Sequence, residues 1–114
     1  MSKIAVWATY KVHDGKEKDL RKFAEKLVSV VRENEPLTTQ YDWYISSDGR
    51  TCLISEVFAN SEAALEHMHR IGDFWEEGLK IGELEMKILG EPSAELRKVL
   101  EPLSPMYYGM LAGL

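Results

Sequence analysis

Residues 65–75 read L-E-H-M-H-R-I-G-D-F-W, which places two of the chain's three histidines, His67 and His69, two positions apart. Asp73, Phe74 and Trp75 follow closely. Imidazoles at this spacing on a strand point the same way and could share a metal ion; on a helix they diverge by about 160°. The surrounding pattern is helical. With Ala64 set at 0°, Met68 falls at about 40° and Ile71 at about −20°, which defines an apolar stripe. His67 falls at about −60°, on the edge of that stripe, and His69 at about 140°, among the glutamates. A shared metal site is excluded, and His69 is expected at the surface. His67 has two readings: a core histidine satisfied by neighbours, or a base at the margin of a pocket between helix and sheet. An unperturbed pKa of about 6.5 suits proton abstraction near neutrality.

A second titratable group belongs to the same region. Asp48-Gly49 separates two β-rich runs, Thr39 to Ser47 and Arg50 to Ala59. A two-residue Asp-Gly loop favours a type I′ hairpin, because both central residues need positive φ. That loop pairs Ile45 with Cys52, Trp43 with Ile54 and Tyr41 with Glu56 on one strongly apolar face. Glu56 is out of place there. It either accepts the Tyr41 phenol hydrogen bond or, buried, acts as a proton-exchanging acid. Tyr41, Trp43, Phe74 and Trp75 are either plain core or the walls of one pocket. Such a pocket, with His67 and Glu56 at its margins, suits a flat aromatic molecule.

The elements that must position these groups are legible in order. Residues 3 to 12 are β-branched and aromatic and read as a strand. Asp14 and Glu17 form a capping box for a helix that runs to about Arg32, with Pro36 beyond it. The hairpin follows, then a second helix capped by Asn60 or Ser61. Gly72 interrupts that helix, and Asp73 with Glu76 supplies a capping box that restarts it. Residues 81 to 89 alternate polar and apolar as a fourth strand. Ser93 caps a short helix to about Leu100, and an apolar tail follows Pro102. The order βαββαβ predicts a ferredoxin-like α+β domain over residues 1–114, with an antiparallel sheet and a C-terminal helix and tail from about residue 93.

The opposite sheet face carries Tyr44, Leu53 and Val57 among polar residues, and two helices cannot cover both faces. A half-apolar open face predicts a homodimer that joins sheet to sheet. The tail, P-M-Y-Y-G-M-L-A-G-L, is expected to pack either on its own core or across that interface.

Composition bounds the rest. The chain has 114 residues, 45% hydrophobic and 29% charged, with a net charge of −5. Lys and Arg alternate with acids, as in K-E-K-D-L-R-K, so neither nucleic acid nor an anionic membrane is an expected partner. No run approaches the ~20 apolar residues of a membrane span, and the first residues lack a signal-peptide layout, so a cytoplasmic protein is expected. Cys52 is the single cysteine, so neither an intrachain disulfide nor a cysteine-based zinc site is expected; its place on the strand reads as packing. No G-x-S-x-G, Walker loop, G-x-G-x-x-G or H-E-x-x-H occurs.

Residues 32 to 69 resemble the antibiotic biosynthesis monooxygenase family of dimeric α+β barrels. Glu35-Pro36, Tyr41, Glu56 with Phe58, Ser61-Glu62-Ala63 and His67 each fall on that family's pattern, whereas Leu37 stands where the family usually has glycine. The resemblance implies a dimeric barrel and a monooxygenase of phenolic or quinol-type aromatics that needs neither cofactor nor metal. It implies His67 as base, Glu56 as its partner or a pocket acid, and Tyr41, Trp43, Phe74 and Trp75 as substrate-binding walls. A non-catalytic binding or structural dimer is the alternative. Haem-degrading members carry an Asn on the first strand; here Trp7 and Thr9 stand there, and His69 would be the only nearby substitute ligand.

Overall fold

The computed structural model describes residues 3–114; Met1 and Ser2, at the start of the expected domain, lie outside the described residues. Strand β1 (Ile4–Val12) leads to helix α1 (Glu17–Asn34), strands β2 (Thr38–Ile45) and β3 (Thr51–Phe58), and helix α2 (Ser61–Ile71). A 3₁₀ turn at Gly72–Phe74 joins α2 to α3 (Trp75–Ile81). Strand β4 (Gly82–Leu89), helix α4 (Ala94–Leu100), a second 3₁₀ turn at Glu101–Leu103 and strand β5 (Met106–Tyr108) complete the chain. The sheet order is β2-β3-β1-β4-β5, which is the ferredoxin-like α+β arrangement with one added edge strand.

The expected hairpin register is observed: Tyr41 faces Glu56, Trp43 faces Ile54 and Ile45 faces Cys52. The loop itself differs from a two-residue I′ turn. The Ser46 carbonyl accepts the Gly49 N–H at 2.9 Å, and only Gly49, at φ 72°, is left-handed. Asp48 instead takes up the Ser46 hydroxyl and the Arg50 N–H through its carboxylate. The register survives because the longer loop is centred on the same Asp48–Gly49 bond, so the parity of the pairs is unchanged.

Neither acidic capping box forms. Helix α1 begins after Lys16, whose N–H is held by the His13 carbonyl, and Glu17 pairs with Arg21 at 3.0 Å. Gly72 keeps helical angles (φ −53°, ψ −34°), so α2 runs on through the 3₁₀ turn and Asp73 is left exposed. The caps at Asn60 and Ser93 do form, accepting the N–H groups of Ala63 and Leu96.

Inner-face side chains of the sheet (Ile4, Val6, Ala8, Tyr10, Ile54, Phe58, Met86, Ile88) meet Leu20, Phe23 and Leu27 of α1 and Leu96 and Leu100 of α4 in one core. Gly82 is required by close approach. A Cβ there would lie 2.3 Å from the Lys11 carbonyl and 2.8 Å from the Tyr10 ring. The outer face is left open, with Trp7 57%, Tyr44 57% and Leu53 53% exposed. Part of the apolar tail becomes β5, parallel to β4, because α4 supplies the crossover that a parallel neighbour needs. Tyr107 thus packs on the core while Met110 and Leu111 extend into solvent. Among the described residues, no helix is long and apolar enough to cross a membrane.

Candidate functional site

A narrow cavity with about 60 Å³ of free space lies between the inner sheet face and the segment from α2 to α3. All four expected wall residues line it: Tyr41 and Trp43 from β2, Phe74 from the 3₁₀ turn and Trp75 from α3. Its surface is overwhelmingly apolar, and Glu56 is the one carboxylate among the residues that line it. The aromatic walls brace one another. Trp43 meets Phe23 and Tyr41 edge-to-face, at ring-centre distances of 6.1 and 5.9 Å.

His67 takes the first of its two expected places, a core histidine satisfied by its neighbours. It is 1% exposed, and with Ala63 and Ala64 it makes up the fully buried face of α2. The buried stripe is therefore centred near −50° on the earlier wheel, because Met68 and Ile71 border the cavity instead of the solid core. His67 is not among the residues that line the cavity; it stands behind Glu56.

Both imidazole nitrogens are taken up by carboxylates. Nδ1 lies 2.9 Å from Glu35 Oε1, and Nε2 lies 3.3 Å from Glu56 Oε1, a contact longer and less well aligned than a full hydrogen bond. Glu35 is held in turn by the Thr38 hydroxyl, which donates to Oε1 at 2.7 Å, and by Arg70 at 3.1 Å from Oε2. Arg70 reaches on to Glu66 at 3.2 Å, at the surface. Arg70, Glu35, His67 and Glu56 thus alternate in charge from the partly exposed Arg70 to the cavity wall, with the last three buried.

The electrostatic consequences follow from this pairing. Burial of His67 opposes its charge, but the hydrogen bonds and charges of Glu35 and Glu56 outweigh it and raise its pKa to about 9. Burial likewise works to raise Glu35, but His67, Thr38 and Arg70 together hold it below its ordinary value. At neutral pH His67 is an imidazolium whose Nδ1–H donates to Glu35 and whose Nε2 faces the charge of Glu56. His67, expected as a base, thus stands outside the cavity lining between two carboxylates, and Glu56 is the carboxylate on the cavity wall. Tyr41 is pushed well above its normal phenol range by burial and by the nearby Glu56, and its hydroxyl does not donate to Glu56.

Glu35 escaped the sequence reading as a site residue. It falls with Pro36 on the family's pattern, but its residue type and place at the end of α1 carry no site role by themselves. The same proline disfavours helical geometry at the residue before it. Glu35 accordingly takes φ −126° and ψ 78°, and its side chain meets His67 and Arg70 of α2. The available signal was an acid locked at a helix–proline junction, together with His67 and Arg70 three apart on one helix face.

Among the described residues, no three His, Cys, Asp or Glu side chains converge to hold a metal ion. The nitrogens of His67 each face a different carboxylate, and His69 is exposed and off the cavity, so no lining imidazole is positioned for haem iron.

The sequence profile of the antibiotic biosynthesis monooxygenase family matches residues 3–70. A search of curated protein sequences finds no match. Among solved structures, MupZ from Pseudomonas fluorescens superposes with a TM-score of 0.89 at 13% identity, over 100% of this chain and 94% of that one. Rv0793 from Mycobacterium tuberculosis gives 0.71 at 20% identity, over 81% of this chain and 97% of that one. SnoaB, a cofactor-independent oxygenase from Streptomyces nogalater, in a mutant form, gives 0.65 at 10% identity, covering 82% and 97%. At these identities the likeness is one of fold.

Proposed function

The chain belongs to the antibiotic biosynthesis monooxygenase family, and on that premise we propose that it oxidises a flat phenolic or quinol-type aromatic with O₂, without a cofactor. The observation that carries the reading is the single carboxylate, Glu56, set in an aromatic-walled apolar cavity and backed by the His67 imidazolium. Glu56 is the proton acceptor and His67 the positioning residue. Proton transfer moves the negative charge from Glu56 onto the substrate while His67 stays charged behind it, so the site never holds an unbalanced charge.

For an activated ring CH₂ the steps balance as R₂CH₂ + O₂ → R₂C=O + H₂O. Glu56 takes one proton, and the resulting anion gives one electron to O₂. The radical pair combines into a C–O bond, and the Glu56 proton returns to the peroxide. Loss of water then breaks the O–O bond and leaves the carbonyl. The substrate supplies all the electrons. The apolar walls exclude water and hold the ring flat against Trp43 and Trp75.

The test is oxygen uptake with anthrone-like and quinol substrates, with ¹⁸O₂ labelling of the product. Glu56→Gln is expected to lose uptake, and one labelled oxygen is expected per product. Full uptake in Glu56→Gln overturns the reading. A binding-only role has its own supporting observation, the mutual satisfaction of His67, Glu35 and Glu56. Binding of these aromatics with no uptake under air would establish it.

The functional unit we propose is a homodimer joined through the open sheet face. Trp7, Leu53 and Tyr44 give that face an exposed apolar centre, and Lys11, Asp42, Glu85 and Lys87 give it a charged rim. The apolar tail from Met110 borders the same sheet edge through β5.

A further inference from the structure

The cavity is too small for the molecule that its walls suit. An apolar cavity takes up one benzene ring at about 150 Å³, whereas this one has about 60 Å³ of free space. A fused-ring aromatic therefore enters only if a wall moves. The sheet wall is locked by ladder pairing between β2, β3, β1 and β4. Phe23 and Leu27, which form the α1 wall, lie on the buried face of that long helix. The third wall is different. From Met68 to Lys80 no residue is buried, although Met68, Ile71, Phe74, Trp75 and Leu79 all border the cavity. A stretch that buries so little opens at low free energy compared with the core around it.

We infer that residues 72–80 form a lid over the cavity, hinged at Gly72, and that Lys26 of α1 is its latch. The Lys26 ammonium pairs with Glu77 of α3 and stands 5.4 Å from the centre of the Phe74 ring. It thus ties both parts of the lid, the 3₁₀ turn and α3, to a helix that stays in place. The two partner side chains are 44% and 49% exposed, so the ion pair is weak enough to break and reform. A second fastening comes from β1, where the Tyr10 hydroxyl donates to the Gly78 carbonyl. At the far end Ile81 is buried and its carbonyl accepts the His13 N–H at 2.8 Å, which anchors the lid's exit. At the near end Gly72 keeps helical angles, and a Cβ there would meet nothing within 4 Å. Neither a left-handed conformation nor close approach calls for glycine at that position; what it supplies is an easy departure from the helix. Closed, the lid keeps water from Glu56; open, it admits the ring.

This inference rests on the cavity being a ligand site, and two measurements keep the two readings apart. Hydrogen exchange of the free protein needs no ligand. Amides of residues 74–80 are expected to exchange at least about tenfold faster than those of residues 23–31 in α1. Lys26→Met, which removes the ion pair and the cation beside Phe74, should speed that exchange about fivefold. Gly72→Ala, which favours the helical hinge, should slow it about fivefold. Association of 2-naphthol, followed by stopped-flow quenching of tryptophan fluorescence under argon, should change by the same factors, because only the open fraction binds. Both substituted positions are exposed, and either variant alone decides the matter. Exchange in 74–80 as slow as in α1, or naphthol association at one rate in all three proteins, overturns the lid. Equal rates with oxygen uptake intact overturn the lid alone and leave the oxygenase standing. No naphthol binding by any of the three proteins overturns the lid and the ligand site together. Variant-dependent association without oxygen uptake in air sinks the oxygenase reading and leaves the lid in place.

Discussion

The buried chain Arg70–Glu35–His67–Glu56 makes a quantitative prediction about stability and pH. His67 has a folded-state pKa of about 9 against an ordinary 6.5. A group whose pKa is raised on folding contributes stability that is fully present below its unfolded value and is lost as pH rises through its folded value. At about 1.4 kcal/mol for each pH unit, the interval corresponds to about 3 kcal/mol, present at pH 6 and gone by about pH 10. No discount for solvent screening applies, since the His67 side chain is 1% exposed. For a chain of this size about 3 kcal/mol moves the melting temperature by roughly 12 °C. The assay is thermal unfolding between pH 6 and 10, for wild type and for the double variant His67→Gln/Glu56→Gln. The variant removes the His67 titration and the charge facing it but leaves Glu35 its Thr38 and Arg70 partners. Its melting temperature should decline less steeply than that of the wild type by about that amount. Parallel curves for the two proteins would refute the doubly paired imidazolium, and with it the assignment of Glu56 rather than His67 as base. His67→Ala alone is predicted to be costly to the fold, by about 3–5 kcal/mol, because it leaves the buried Glu56 without a charge partner and takes one partner from Glu35.

Other outcomes follow from the same structure. On the acid side the Glu35 pairing is lost as pH falls below the ordinary carboxylate range and through its depressed pKa, so stability should also fall there; Glu35→Gln should flatten that limb in acid unfolding curves. Gly82→Ala should destabilise by about 1–3 kcal/mol in urea titrations, because the new Cβ meets the Lys11 backbone carbonyl rather than a movable side chain. Cys52 is buried and its thiol is pushed up to about 11 by burial, so it should resist thiol reagents at pH 8 until denaturant is added. Sedimentation at micromolar concentration should give a dimer that Trp7→Glu and Leu53→Glu convert to monomer; an unchanged sedimentation coefficient would remove the sheet-to-sheet interface.

Much of this molecule is written in short-range pattern. Period-two runs give β1 to β4, and apolar spacing gives α1 and α2. Asn60 and Ser93 are caps because a side-chain oxygen satisfies orphan N–H groups within three residues. The Asp48-Gly49 centre fixes hairpin register even though the turn type differs, and that alone puts Tyr41, Trp43 and Glu56 on one face. The divergence of His67 from His69 is likewise pure helical geometry.

What the tertiary structure decided is everything that depends on how far apart two surfaces stand. The rotation of α2 depends on a cavity beside Met68 and Ile71, and no wheel drawn on α2 alone contains that space. Whether Asp14 or Asp73 caps a helix depends on competing partners: the His13 carbonyl at one end, a helical Gly72 at the other. Above all, the charge of His67 belongs to no local pattern. It is set by Glu35, thirty-two positions away in sequence, which a proline turns inward and Thr38 and Arg70 hold in place. The sequence alone yields the histidine, the glutamate and the aromatic walls. Only the packing of α2 over the sheet decides that the imidazole is enclosed and charged, and that the carboxylate is the group left facing the cavity, because a pKa is a property of neighbours in space.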